Sequence, residues 1–99
     1  MSANSIRVIA RFAAKPDRVD DVSRILTALI EPTRKETGCI TYELLQNKND
    51  PTDFTFVEEW TSKTALDQHL ATEHIGNCVA QIGEHVEANP DIRIYKVVE

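Results

Sequence analysis

Between Phe54 and His74 the hydrophobic period changes from two to about 3.6, joining a strand to a helix with polar groups on both inward faces. From Phe54 to Trp60 the residues alternate. Phe54, Phe56, Glu58 and Trp60 share one side of a pleated strand, and Thr55, Val57 and Glu59 share the other. Ser62 has the chemistry of a helix N-cap, and after it Leu66, His69 and Leu70 fall three and four apart on one helical face. A strand therefore runs straight into a helix, with a carboxylate among aromatics on the first and a histidine among leucines on the second. Thr72 offers another N-cap, which puts His74 in the first turn of a further helix. There the free amides and the positive end of the dipole disfavour imidazolium, so a neutral His74 is expected.

The rest of the chain supplies the partners for this unit. Ser5 to Ala13 reads as a strand with Ile6, Val8, Ala10 and Phe12 on one face and Arg7, Ile9 and Arg11 on the other. Lys15-Pro16-Asp17 opens a helix whose stripe is Val19, Val22, Ile25, Leu26, Leu29 and Ile30, ending near Pro32. Gly38 closes the short segment from Thr33 to Thr37. Cys39 to Asn47 is a second strand, with Ile40, Tyr42 and Leu44 alternating against Thr41 and Glu43. Lys48 to Asp53 is a dense turn signal that folds this strand onto the next as an antiparallel hairpin. After the two helical segments, the second striped by Ile75, Val79, Ile82 and Val86, Asn89-Pro90 stops the helix and Asp91 to Val98 closes as a strand.

The order β-α-β-β-α-α-β is that of an α+β, ferredoxin-like split βαβ domain with its second helix broken in two. Helices should cover one face of a four-stranded antiparallel sheet. The other face would carry Ile9, Leu45, Val57 and Val97 or Val98 among charges, too apolar for open water across a whole sheet, so packing against a second subunit is expected.

Ninety-nine residues without repeats, linkers or low-complexity stretches fit one domain spanning 1–99. A net charge of -5 and a pI near 5.1, with no local Lys/Arg cluster, argue against nucleic acid and anionic membranes as partners. The pair Arg34-Lys35 is offset at once by Glu36. No apolar run nears the roughly 20 residues of a membrane span and no signal peptide is evident, so a cytoplasmic location is the simplest expectation. Cys39 and Cys78 have the spacing of neither a disulfide framework nor a zinc knuckle, and read as ordinary buried thiols.

Lys15-Pro16 at the first helix, E-T-G-C-I-T-Y-E-L, the turn N-D-P-T-D-F, the strand end E-E-W and A-L-D-Q-H-L-A-T-E-H, in this order and spacing, resemble the antibiotic biosynthesis monooxygenase family over nearly the whole chain. The resemblance implies a homodimeric α+β barrel whose sheets face each other, with a pocket in each protomer between sheet and helices. It also implies oxygenation of a phenolic or quinol small aromatic by molecular oxygen without flavin, heme or metal. The residues themselves show no G-x-G-x-x-G loop and no carboxylate-histidine set with metal-ligand spacing, so no cofactor and no metal are expected. His69 and His74, five apart, would splay by about 140° on a continuous helix and need the intervening break to meet.

Among site candidates, Trp60 ends its strand where a flat ligand could stack on it, or is simply core. His69 and His74 are the candidate catalytic bases, and Glu58, inward on the same strand as Trp60, is expected to hold the imidazole. Tyr42, on the neighbouring strand, would contact a ligand or satisfy a buried carboxylate, and Phe54 and Phe56 would shape a dry slot. Three other readings remain. An isomerase or sugar-phosphate-processing member of the superfamily would need a phosphate anchor, yet Arg7 and Arg11 lie on the wrong face. Heme-degrading relatives use a first-strand asparagine, absent from Ser5 to Ala13. A non-catalytic small-molecule-binding dimer would need less polar machinery than Glu58, His69 and His74 offer.

Overall fold

A computed structural model describes residues 5–99. Its elements are β1 (Ile6–Ala13), α1 (Val19–Thr27), α2 (Ile30–Arg34), β2 (Cys39–Gln46), β3 (Asp53–Trp60), α3 (Lys63–Leu70), α4 (Glu73–Ile82) and β4 (Asp91–Lys96), with one 3-10 turn (Gly83–His85) after α4. The strands form a single sheet in the order β2-β3-β1-β4, antiparallel throughout. This is the ferredoxin-like plan that the order of periodicities implies.

Alternation decides which face the helices cover. Val8, Ala10 and Phe12 of β1 and Phe54, Phe56, Glu58 and Trp60 of β3 are all buried, while the residues between them are half-buried or exposed. The register sets Ala10 opposite Phe56, and puts Glu58 between Val8 on one side and Tyr42 on the other. Against this face α1 packs Val22, Ile25 and Leu26, α3 packs Ala65, Leu66 and His69, and α4 packs Cys78 and Ile82. Each large apolar side chain removed from water there contributes on the order of 1.5–3 kcal/mol.

Both N-caps form. The Ser62 hydroxyl accepts from the Ala65 amide at 3.1 Å and the Thr72 hydroxyl from the Ile75 amide at 3.4 Å. The first helix departs from expectation at both ends. Pro16 and Asp17 occupy a turn closed by the Arg18 amide on the Lys15 carbonyl at 2.9 Å, with proline at its favoured second position, so the helix begins only at Val19. Before Pro32 the helix tightens, the Leu29 amide bonding to Leu26, and restarts as α2. There Pro32 sits in a first turn, where its missing amide goes unneeded.

Two side chains also leave their expected faces. The pairing shifts by one residue between Cys39 and Thr41, a bulge that takes Ile40 out of the inward row and leaves it half exposed. In α4 it is Cys78 that is buried, whereas Val79 is 68% exposed. Spacing alone put Val79 on the inner stripe, but the sheet beneath it gives way to a cavity.

Gly38, between α2 and β2, has φ of +91°. A β-carbon there would fall 2.6 Å from that of Ala65 and 2.8 Å from Thr61 Oγ1, so the connection touches the start of α3 only because the residue is glycine. The face of the sheet away from the helices carries half-buried Ile9 and Val57 with exposed Leu45 and Tyr95. Ile9 and Val57 lie between the ion pairs Arg7–Glu59 and Arg11–Asp53, with Arg93 and Glu43 opposite them on the outer strands. Among the described residues no helix is long and apolar enough to cross a membrane.

Candidate active site

Where β1 and β4 run beneath α3 and α4, the layers leave a cavity of about 450 Å³. Its inner end is formed by Phe56, Tyr42, Glu58 and His69, all at most 5% exposed, and its mouth by Leu70, Val79, Ile92 and Ile94, all about half exposed or more. Ile92 and Ile94 pair with Ala10 and Val8 and belong to the inner face, yet among the described residues no helix covers them and both stay about half exposed. Among the described residues the lining contains no lysine and no arginine.

His69 enters this space from the last turn of α3. Its Nδ1 lies 2.7 Å from Glu36 Oε2, and the same oxygen lies 2.7 Å from His74 Nε2 in the first turn of α4. The helix break brings the two rings to 6.0 Å between centroids. Thr72 secures that break by donating its hydroxyl to the His69 carbonyl at 2.7 Å while capping α4. Glu36 comes from the connection held by Gly38, its amide bonded to Thr33 and its carbonyl to Cys39.

A carboxylate only accepts, so the ring nitrogens that meet Glu36 carry the protons. His69 is thereby set in its Nδ1–H tautomer, and its Nε2 has no hydrogen-bond partner among the described residues. Burial pushes the His69 pKa below the ordinary histidine value, against the hydrogen bond and charge of Glu36, which raise it. The ring is neutral at pH 7 with a lone pair on Nε2, the condition of a general base.

Glu58 is placed differently from expectation. Its carboxylate accepts the Trp60 indole N–H at 2.9 Å, two residues along the same strand face, and among the described residues it bonds to neither histidine. Glu36 takes the place expected of Glu58. Burial raises the Glu58 pKa to about 7, opposed by the Trp60 hydrogen bond and assisted by the charge of Glu36. Tyr42 is pushed well above the ordinary phenol value, by burial first and then by Glu58, and remains protonated as a donor.

Trp60 does not line the cavity. It is wholly buried behind His69, ring centroids 4.6 Å apart, and supports the imidazole from the rear. Phe54 lies in the core away from the cavity, whereas Phe56 lines it and stacks on Tyr42 at 4.6 Å. His74 opens on the other side of α4, in a groove with Arg24, Asn77 and Gln81. Sequence spacing showed no carboxylate-histidine set, because its carboxylate lies 33 residues before His69. The signal for Glu36 was its position two residues before Gly38, in a turn leading to the strand that carries Tyr42.

The fold and site define an α+β protein of ferredoxin-like plan with an apolar cavity and a carboxylate-held histidine at its inner end. The chain belongs to the antibiotic biosynthesis monooxygenase family, whose model matches residues 5–81. It is 39% identical over 79 residues to Rv0793 of Mycobacterium tuberculosis, covering 80% of this chain and 77% of that one. The Rv0793 structure superposes with a TM-score of 0.92 over 97% of both chains. A crystal structure of an antibiotic biosynthesis monooxygenase is 36% identical with a TM-score of 0.89, covering 95% of this chain and 99% of that one. An uncharacterized Synechocystis protein, sll1783, is 31% identical over 94 residues, 95% of this chain, which spans 64% of that protein's length.

Proposed function

We propose that this chain is a cofactor-independent monooxygenase of a small hydroxylated aromatic, with His69 as general base. The observation that carries the reading is a neutral histidine, held by Glu36, at the inner end of a mostly apolar cavity whose other polar groups at that end are Tyr42 and Glu58. A quinol seated there gives a hydroxyl proton to His69 Nε2. The electron-rich phenolate reduces oxygen directly, and quinol plus O₂ yields hydroxyquinone plus water, so the substrate supplies the electrons. Tyr42 and protonated Glu58 are donors for the oxygens of the ring or of the reduced dioxygen, and Phe56 with the aliphatic lining keeps water out. Phe54 and Trp60 support this wall from behind, and His74 holds the same Glu36 oxygen that meets His69.

A 28% identical relative from Photorhabdus laumondii, matching 75% of each chain, is named as the isomerase of a phosphonooxy-pentanedione. A phosphorylated substrate is disfavoured here because, among the described residues, the lining offers no lysine or arginine to a phosphate. A heme or a passive ligand would make no use of a base held in one tautomer.

Oxygen uptake by chelator-washed protein with benzo- and naphthohydroquinols is the test, with boiled protein and His69→Gln as references for autoxidation. Saturable uptake lost in His69→Gln is the expected result. Uptake equal to boiled protein across the panel overturns the reading in favour of the isomerase or binding alternatives.

A further inference from the structure

Two imidazole nitrogens and a carboxylate oxygen are also the donor set of divalent metals of the zinc class. The ligand atoms of Glu36, His69 and His74 all lie within 4.8 Å of one another. With metal bonds of about 2.0–2.2 Å, tetrahedral neighbours stand roughly 3.3–3.6 Å apart. The two contacts of 2.7 Å are shorter than this and the ligand nitrogens lie within 4.8 Å of each other, so a metal is admitted by withdrawing the Glu36 carboxylate and turning the two imidazoles toward it, torsional adjustments of side chains. Both histidines are anchored on either side of the Thr72 cap, and three protein ligands leave one position for water. His74 and Glu36 are partly exposed, which gives a cation a way in. Arg24, in the groove beside His74, is paired to Asp21 at 3.5 Å.

We propose that Glu36, His69 and His74 form a divalent transition-metal site, and that filling it switches off the base at the inner end of the cavity. The switch follows from the ligand chemistry. Metal on His69 Nδ1 takes the lone pair that nitrogen must expose, so its proton passes to Nε2 and the imidazole stays neutral. The nitrogen left for the cavity then donates and can no longer accept a proton from substrate. The cation is thus a reversible inhibitor that shares ligands with the base and takes no part in turnover. This consequence for catalysis rests on the base reading proposed for His69, whereas cation binding does not.

Calorimetric titration of the chelator-washed chain with Zn²⁺ tests the site, and ¹⁵N spectra of the histidine rings test the switch. One zinc per chain is expected in the wild type and in His85→Gln, which removes the looser group of His85 with Asp21 and Glu84. His74→Gln and Glu36→Gln should each bind at least about tenfold more weakly, since loss of even a supporting partner has that effect. His69 Nε2 should change from unprotonated to protonated as zinc is added. Binding no tighter in wild type than in both ligand variants, or lost in His85→Gln, overturns the site; a folded variant of either ligand is enough for the comparison. Zinc binding that leaves Nε2 unprotonated overturns the switch. A protein that binds zinc and changes its His69 tautomer yet never takes up oxygen upholds the site and refutes the oxygenase reading, so the two failures are distinguishable.

Discussion

At the scale of single residues the site divides into a group that meets the substrate and groups that position it. Glu36 does not line the cavity, and its effect is carried by the tautomer of His69. In Glu36→Gln the amide can donate as well as accept, the tautomer is no longer imposed, and kcat for oxygen uptake should fall by about a hundredfold, the lower range for losing general-base assistance. The ¹⁵N signals of His69 should then report mixed tautomers, which a merely destabilised variant would not show. Glu58 provides a pH-dependent readout of its own. Its folded pKa of about 7 lies above its ordinary value of 4.5, so the folded state holds a proton that the unfolded state has released. The stability this group contributes is present below pH 4.5 and is lost as pH rises through 7. Between pH 5 and pH 8 the wild type should therefore lose up to about 3 kcal/mol relative to Glu58→Gln in urea unfolding. Comparison within each pH cancels the opposite trend from His69, whose lowered pKa makes the fold gain stability as pH rises toward 6.5. Equal pH slopes in both proteins would show that the Glu58 carboxyl is not buried as described.

Among the elements, what was legible in the sequence was local, and what was hidden depended on contacts. The caps at Ser62 and Thr72, the β2-β3 hairpin and the alternation of β3 follow from residues within a few positions of one another, and all form. The restart at Pro32, the bulge at Ile40 and the exposure of Val79 arise where an element meets another of fixed length, which no window of residues contains. The same distinction explains the site. His69, Tyr42 and Phe56 could be read from their faces, but the bond of His69 to Glu36 requires the α2-β2 connection to touch α3, and that approach depends on Gly38. Gly38→Ala should cost about 1–3 kcal/mol in stability from the positive φ, with more from the contact at 2.6 Å. It should also lower oxygen uptake in the fraction that remains folded, because Glu36 moves with the loop. Full stability by thermal unfolding would show that neither the backbone angle nor the contact with Ala65 demands glycine at this position.

For the whole molecule the unsettled surface is the bare face of the sheet. Its centre is Ile9 and Val57, half-buried, with Leu45 and Tyr95 both 45% exposed on the outer strands. Arginine-carboxylate pairs on β1 and β3 flank this centre and leave its apolar surface uncovered. A second copy laid across it would bury the apolar centre of both, which answers the size limit on a 99-residue core as well as the surface itself. The cavity lies on the opposite face, so such a homodimer leaves each site complete within its own chain. Sedimentation equilibrium should give twice the chain mass of 11.2 kDa at micromolar concentration. Val57→Lys, which sets a charge in the middle of the face without touching the helix side, should shift the protein toward monomer while zinc binding at Glu36, His69 and His74 persists. A wild type that sediments as a monomer would mean that this face meets water or a different partner, and that its apolar centre does not serve to join two copies of the chain.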